Sequence, residues 1–255
     1  MHVLRRSFLA ACLGILAAAP GVAAQGSTLA FAFRVKVHVG QERAFEAAMK
    51  EHMAVRQEAG DPFQWSVYQS MFGDDGGDYY IRSAGHSWAD LDTYGGMSDG
   101  QEEIENHFAE TMTPFIAESA SWVSSMDTTM STLPPDMEAM NVFMVTRVSV
   151  DAEGAMAMEE ALGSIHETAA AHDIYHILLR NVVGGEGAEF SLVFPSENFA
   201  GLEEPSPGMD ELLMEAYGEA RLQEIFQGWM SGIEDTGTSL LVLRRDLSMS
   251  MAGGD

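Results

Sequence analysis

The sequence predicts an α+β protein in which one unit, strand, helix, strand, strand, helix, strand, is written twice. Three observations carry that prediction. Shifted by 111 residues the chain lies on itself, Val37 and Val39 on Val148 and Val150, Gly73 on Gly184, and Trp88-Ala89-Asp90-Leu91 on Phe199-Ala200-Gly201-Leu202. A register kept from the first strand of each unit to the start of its last helix marks a duplicated fold. Polarity alternates with a period of two over Phe31 to Val39 and recurs in Val142 to Val150, the mark of half-buried strands. Asp74-Asp75-Gly76-Gly77 and Gly184-Gly185-Glu186-Gly187 separate aromatic and branched runs as hairpin turns do.

In the first unit, Phe31 to Val39 places Phe31, Phe33, Val35, Val37 and Val39 on one face. Gln41 to Ala59 reads as a helix, with Phe45, Met49 and Met53 on one stripe and a stop at Gly60-Asp61-Pro62. Phe63 to Phe72 and Tyr79 to Ala84 are the hairpin strands. A long helix is expected from Glu102 to Met126, its stripe made by Ile104, Phe108, Met112, Phe115, Trp122 and Met126 and its axis bent at Pro114, with a last strand at Asp127 to Leu133. The second unit repeats the plan: strand Val142 to Val150, helix Glu153 to Ala171, strands Ile174 to Val183 and Phe190 to Phe194, helix Met209 to Ile233, strand Ser239 to Arg245. Pro134-Pro135 marks the boundary. The expected organisation is an amino-terminal signal over 1–24, unit 1 over 25–133, a linker over 134–140, unit 2 over 141–247 and a flexible tail over 248–255.

Arg5-Arg6, the apolar stretch Ser7 to Ala19 and the small residues Val22-Ala23-Ala24 read as an export signal with cleavage near Ala24, placing the mature protein in the periplasm or outside the cell. Arg5-Arg6-Ser7-Phe8-Leu9 resembles the twin-arginine signal of proteins exported folded; an ordinary secretory signal is the competing reading, and Leu9-Ala10-Ala11-Cys12 as a lipoprotein box a third. No other run is long and apolar enough for a membrane helix. Cys12 is the only cysteine, so the mature chain makes no disulfide and relies on its apolar core. Cleavage removes two of 13 basic residues and none of 39 acidic ones, taking the net charge from −26 to −28. That balance argues against nucleic acid and anionic lipid as partners and fits a solvated acidic surface.

A βαββαβ unit is the split-βαβ, ferredoxin-like plan, a sheet covered on one face by two helices, and two such units can cover each other's bare faces. The mature chain therefore resembles the dimeric α/β-barrel superfamily, as a tandem fusion whose two sheets pack together as an α/β barrel. The resemblance lies in element order and spacing over residues 29–247. It implies antibiotic-biosynthesis-type monooxygenases, haem-degrading monooxygenases and chlorite dismutase-like or dye-decolourising haem peroxidases as relatives, and haem as a cofactor to consider. The haem-degrading branch uses an Asn on the first strand, a Trp in the sheet and a His on the second helix. His107 and Trp65 match two of these, while the first strand has Arg34 and Lys36, and the positions aligned with His107 and Trp65 in the second unit are Gly218 and His176. A haem peroxidase would draw on His166, His172 or His176 with Arg147 or Arg180. The competing role of each histidine is surface or packing, and the spacing of His166 and His172 does not stack ligands on one helix face, so no metal site is read.

One pattern comes from the residues alone. Of the 11 basic residues of the mature chain, Arg34, Lys36, Arg82, Arg147, Arg180, Arg244 and Arg245 fall on expected strands. Alternation sets Arg34 and Lys36 opposite the valine face, so if the valines meet the helices these cations point where the two sheets enclose a space. Such a space would take a small anionic or aromatic ligand, with Trp65, Tyr68 and Tyr80 as aromatic walls. The alternative is that these cations pair with carboxylates of the other unit, or guard strand edges. The 18 methionines read as adaptable core filler, the glycine turns are hairpins rather than phosphate loops, and no nucleophile elbow or His-Glu-x-x-His motif is present. The expectation is a small-ligand binding protein with no identifiable catalytic set. The alternatives are a monooxygenase-like or haem-dependent enzyme, and an envelope protein working through its surface.

Overall fold

The computed structural model describes residues 28–95, 98–185, 188–203 and 206–249. The export signal, Cys12 and residues 250–255 of the tail lie outside the described residues. In unit 1, β1 (Leu29–Val37) runs antiparallel between β3 (Tyr79–His86) and β4 (Ile116–Met126), with β2 (Ser66–Phe72) on the far side of β3. Unit 2 repeats this with β5 (Val142–Val150) between β7 (Phe190–Ser196) and β8 (Ile233–Leu243), and β6 (Ile177–Gly184) beside β7. The two sheets join edge to edge, β2 to β8 and β4 to β6, closing an eight-stranded barrel of order β1-β3-β2-β8-β5-β7-β6-β4. Among the described residues, closure gives every strand of the barrel a neighbour on both sides, so none is left as a sheet edge.

Helices α1 (Glu42–Glu58), α2 (Trp88–Gly95) and α3 (Ser98–His107) belong to unit 1, and α4 (Ala155–Ala171) and α5 (Met209–Ser231) to unit 2. The odd residues of β1 face α1: Val35 and Val37 share a core with Phe45, Met49, Met53, Val67 and Tyr79. In unit 2, Met158 and Leu162 of α4 cover Val148, Leu178 and Phe190. The valine face therefore meets the helices, and the opposite face lines the barrel, where Tyr80, Phe143, Ile177, Val193 and Leu241 cluster. The linker is part of that cluster, with Met140 buried in it. Ser248 and Met249, at the head of the expected tail, are docked: the Val67 N–H donates to Ser248 Oγ at 2.9 Å and the Met249 N–H to the Trp65 carbonyl at 3.0 Å. The methionines divide, Met49, Met112 and Met158 being fully buried while Met156 and Met230 are exposed, so core filling accounts for only some of them.

The long helix expected over Glu102 to Met126 is not there. The chain leaves the α-helix at His107, makes a π-helical turn over Phe108–Met112 and a 3-10 turn over Thr113–Phe115, and then runs as β4. Pro114 has no N–H for the helix ladder and its ring clashes with the preceding turn, so it ends the helix rather than bending it. Trp122 and Met126 belong to a period-two pattern with Ser124 between them, all three lining the barrel interior. The last strand of unit 1 is accordingly Ile116–Met126 and not Asp127 to Leu133. Unit 2 has no proline at this point; α5 continues to Ser231, through a break at Gly218, and β8 starts at Ile233, so Arg244 and Arg245 fall just beyond it.

These changes shift the repeat register. Phe33 pairs with Ile81 and Thr146 with Leu192, so the first strands correspond at 113 residues (33 to 146) while the third strands keep 111 (81 to 192). Ala30 pairs with Ser124 and Phe143 with Leu241, which puts the last strands at 117 (124 to 241). The two units therefore differ by a shorter turn before β6 and a longer closing helix in unit 2.

A polar knot ties the halves together at Asp75, in the β2–β3 turn. Its Oδ1 accepts from Ser70 Oγ at 3.0 Å and Ser239 Oγ at 2.7 Å, and its Oδ2 from the Tyr80 hydroxyl and from Arg147 Nη1 at 3.2 Å. Gly73, at φ 119, lets this turn touch β8: a Cβ there would sit 2.8 Å from the Thr238 carbonyl oxygen. Burial pushes the Asp75 carboxyl up, but the donors from Tyr80, Ser239, Arg147 and Ser70 outweigh it and hold it below its ordinary value of 3.8. Asp75→Ala should cost about 3 kcal/mol in chemical denaturation, because Arg147 is left without its carboxylate, and Asp75→Ala/Arg147→Met should recover part of the loss. A single-variant cost under about 1 kcal/mol would sink the idea that this knot fastens the halves. Since the folded carboxyl is depressed, its contribution is complete above 3.8 and is lost as pH falls through the lower folded value.

Candidate functional site

Two cavities lie on opposite faces of unit 1's sheet. The first, about 320 Å³, is the barrel interior, lined by Tyr68, Tyr80, Arg82, Trp122, Phe143 and Leu241 among others. Position-by-position comparison of the two units shows how it is built. Where unit 1 presents Arg82, Tyr68 and Ser124, the equivalent positions of unit 2 present Val193, Leu179 and Leu241. One wall is polar and cationic and the facing wall is apolar.

The strand cations sort cleanly. Arg147 is tied to Asp75 and to the Tyr80 hydroxyl at 2.8 Å, and Arg34 lies 3.7 Å from Asp78. Lys36 is exposed beside Glu118 at 3.6 Å, and Arg180 faces outward to Asp127 at 2.9 Å and to Glu159 of α4. Arg244 of unit 2 bonds Glu46 of unit 1 at 2.6 Å, and Arg245 bonds Asn141 Oδ1 at 3.0 Å. Pairing with carboxylates of the other unit, the alternative open from the sequence, accounts for Arg147, Arg244 and the Asp127 partner of Arg180. Arg82 differs from all six: among the described residues no hydrogen bond or ion pair reaches its guanidinium, burial lowers its pKa, and the Tyr68 ring bearing the hydroxyl is the one group that offsets this. Ser124, two residues along β4 from Trp122, has a buried hydroxyl with no partner among the described residues. Lys36 and Arg180 thus stand apart from the cavity, while Tyr80, Arg82 and Arg147 line it.

The second cavity, about 500 Å³, is a cleft between the outer face of β1 and β4 and helices α1 and α3. Trp65 lies here, not in the barrel: it is three residues from Tyr68, and an odd spacing on a strand puts the two rings on opposite faces. Arg56 organises the polar end. Its Nε donates to His52 Nε2 at 3.0 Å, its Nη1 donates to Asp61 at 2.6 Å and to the Tyr94 hydroxyl at 3.0 Å, and its guanidinium lies 5.1 Å over the Trp65 ring, whose Nε1–H also donates to Asp61. Since an arginine only donates, His52 Nε2 accepts, its proton sits on Nδ1 and points to His107 Nδ1 at 3.2 Å. Burial, then the charge of Arg56, then His107 bring the His52 pKa down to about 3, so the ring is neutral at physiological pH. His107 and Trp65 are visible in the sequence through the family resemblance; His52 and Arg56 signal themselves only by their spacing of four on the α1 stripe beside Met49 and Met53.

Among the described residues unit 2 has no such helix–sheet cleft; its groove of about 370 Å³ lies between α4 and α5, lined by Arg221, Glu160 and Glu224 and by no histidine. Its α1-equivalent positions for His52 and Arg56 are Ile165 and Ala169, and α5 lies hard against α4: a Cβ on Gly228 would meet the Ala157 carbonyl oxygen at 2.7 Å. His166 and His176 bond each other at 2.9 Å, and His176 Nδ1 lies 2.9 Å from the Ile174 carbonyl oxygen. A haem iron needs a histidine nitrogen facing the cofactor. Among the described residues no histidine lines the barrel cavity, and His52, the one in the cleft, has both nitrogens engaged, so these residues do not fit a haem.

No protein-family model matches the sequence, and no curated protein does. Solved structures do match the fold. The chain is similar to an anthrone oxidase-like protein at 13% identity and a TM-score of 0.53, covering 89% of this chain and 95% of that one. It is similar to a variant chlorite dismutase from Candidatus Nitrospira defluvii at 12% identity and a TM-score of 0.53, covering 87% and 93%. It is also similar to a proposed monooxygenase from Fusobacterium nucleatum subsp. nucleatum at 12% identity and a TM-score of 0.51, covering 86% and 93%. With the element order and the closed barrel described above, these likenesses show the dimeric α/β-barrel fold, carried here by two ferredoxin-like units in one chain.

Proposed function

We propose that the mature protein is exported and binds a small anion with an apolar, aromatic-compatible body inside its barrel, the head group resting on Arg82. The observation that carries this reading is the uncompensated guanidinium. A charge enclosed without a partner is destabilising, and it is retained most simply where a ligand completes it. Tyr68 and Ser124 supply further hydroxyl donors, and the unit 2 wall of Val193, Leu179 and Leu241 takes the apolar end. A cavity of about 320 Å³ is within the range that holds small molecules. Leu133 and Met137, exposed apolar residues beside and within the linker, line the mouth. Export rests on Arg5-Arg6, the apolar stretch after it and Val22-Ala23-Ala24, by the twin-arginine or the ordinary secretory route.

A second reading, oxidation of a small molecule in the helix–sheet cleft by a monooxygenase-like enzyme, has the cleft itself and the shared fold in its favour. Among the described residues the one histidine lining the cleft, His52, has both nitrogens engaged, and the lining carboxylate, Glu105, already accepts from Gln101, so the cleft presents no paired acid and base. Binding is therefore the reading the geometry supports best.

Two measurements on Arg82→Leu test it. Without ligand, the variant should be more stable than the wild type by about 1 kcal/mol in chemical denaturation, since an enclosed unpaired charge is replaced by an apolar side chain. In calorimetric titration with naphthoate, the wild type should bind and the variant should bind about thirtyfold more weakly, the loss of one charge-assisted hydrogen-bonded contact. A variant less stable than wild type that binds naphthoate equally well would remove the barrel reading.

A further inference from the structure

The cleft of unit 1 carries a recognition chemistry opposite to that of the barrel. Gln101 Nε2 donates to Glu105 Oε1 at 2.8 Å, and because a carboxylate only accepts, the amide cannot be turned round. Gln101 Oε1 is thereby left in the cleft, buried, with no hydrogen-bond partner among the described residues. Buried amide oxygens are almost always satisfied, so an orphan one marks a place where a donor belongs.

Apart from the Ser119 and Ser121 hydroxyls of β4, which can donate to any acceptor, the charge of the rest of the cleft does not favour an anion. Arg56 is committed to His52, Asp61 and Tyr94, and its charge is balanced by Asp61. His52 is neutral, and Glu105 adds a carboxylate to the lining. The walls are apolar: Met49 and Met53 from α1, Ile104 from α3, Ile81 from β3, and Phe108 at the start of the π-helical turn, a feature that recurs at functional sites. Phe33 lines the same space and is 41% exposed although it sits on the apolar face of β1, its ring flanked by Trp65 with centroids 5.8 Å apart.

We propose that this cleft is a second binding site, for an uncharged aromatic molecule bearing a hydroxyl or N–H group, with the donor on Gln101 Oε1 and the ring against Phe33 and Phe108. It rests on different residues from the barrel site and does not depend on that reading.

The test uses the full mature protein and three probes that share one ring system: naphthol, methoxynaphthalene, in which the donor hydrogen is replaced by methyl, and naphthoate. Naphthol should bind the wild type about tenfold more tightly than methoxynaphthalene, the size of one hydrogen bond to a buried acceptor. Gln101→Leu should erase that tenfold difference while leaving methoxynaphthalene affinity unchanged, and Gln101→Met, which keeps the side-chain length, should do the same, with thermal unfolding of both variants confirming the fold. Arg82→Leu should leave naphthol binding untouched. Equal affinity of wild type for naphthol and methoxynaphthalene, no binding of naphthol, or a naphthol advantage that survives in both Gln101 variants would overturn the proposal. Loss of the naphthol advantage in Arg82→Leu alone would also overturn it, by moving the naphthol into the barrel. Failure of naphthoate to bind would bear on the barrel site only.

Discussion

Everything in this molecule follows from the two edge-to-edge seams, β2 to β8 and β4 to β6, that turn two open sheets into one barrel. A ferredoxin-like sheet alone has one face on its helices and one face bare. Closing two of them makes the bare faces into a shared interior, and eight strands enclose a space that side chains nearly fill or that holds one small molecule. Each inward position is then constrained by a neighbour from the other half. That is why Asp75 of unit 1 can be completed by Arg147 and Ser239 of unit 2, and why Arg244 of unit 2 can reach Glu46 of unit 1. These bonds cross the duplication, so neither half can satisfy its own buried charges alone.

Duplication within one chain also released the halves from having to be identical. A dimer of one unit would place the same residue on both walls, and an Arg82 on each would set two like charges in one enclosed space. Here Arg82 points into the barrel from one wall while its counterpart on the other is Val193, and a cavity with two different walls results. The helices diverged in the same way. Pro114 ends the helical stretch of unit 1 early, and a helix–sheet cleft remains; unit 2 has no proline there, and α5 runs on to close against α4 through Gly228. The end of the closing helix thus differs between the unit whose cleft opens on its sheet and the unit whose groove lies between its two helices.

The parts legible in the sequence were those that repeat a simple period. The valine face of β1, the Phe45, Met49, Met53 stripe of α1 and both hairpins follow from spacing alone. Where two periods could both be fitted, reading failed: Ile104, Phe108, Met112 and Phe115 form a helical stripe that continues by accident to Trp122 and Met126, and only tertiary pairing of β4 with β1 and β6 decides for a strand. At the site, alternation points Arg147 inward and places Arg82 only on a strand, and it also points Lys36 inward, which the structure sets in solvent beside Glu118. It could not tell that Arg147 meets a carboxylate and Arg82 does not, because Asp75 reads locally as an ordinary turn residue and reaches Arg147 only through the fold. His52 and Arg56 went unread for a related reason: they lie on an apolar stripe, and what makes them a unit is Asp61 and His107, brought in by other elements.

The charge of the whole chain sharpens what Arg82 has to do. A chain with net charge −26 repels a dissolved anion at its surface, so long-range attraction cannot draw such a ligand in. At physiological ionic strength that repulsion fades within about 8 Å, and inside the barrel the solvent that screens it is displaced by Val193, Leu179 and Leu241. An interaction of one guanidinium with one carboxylate is then governed by the local low-dielectric environment rather than by the surrounding acidic surface. Recognition of an anion by an acidic protein therefore requires a cation that is enclosed and left unpaired. Of the strand cations in this fold, Arg82 meets both conditions: Arg147 is enclosed but taken by Asp75, and Lys36 is in solvent beside Glu118.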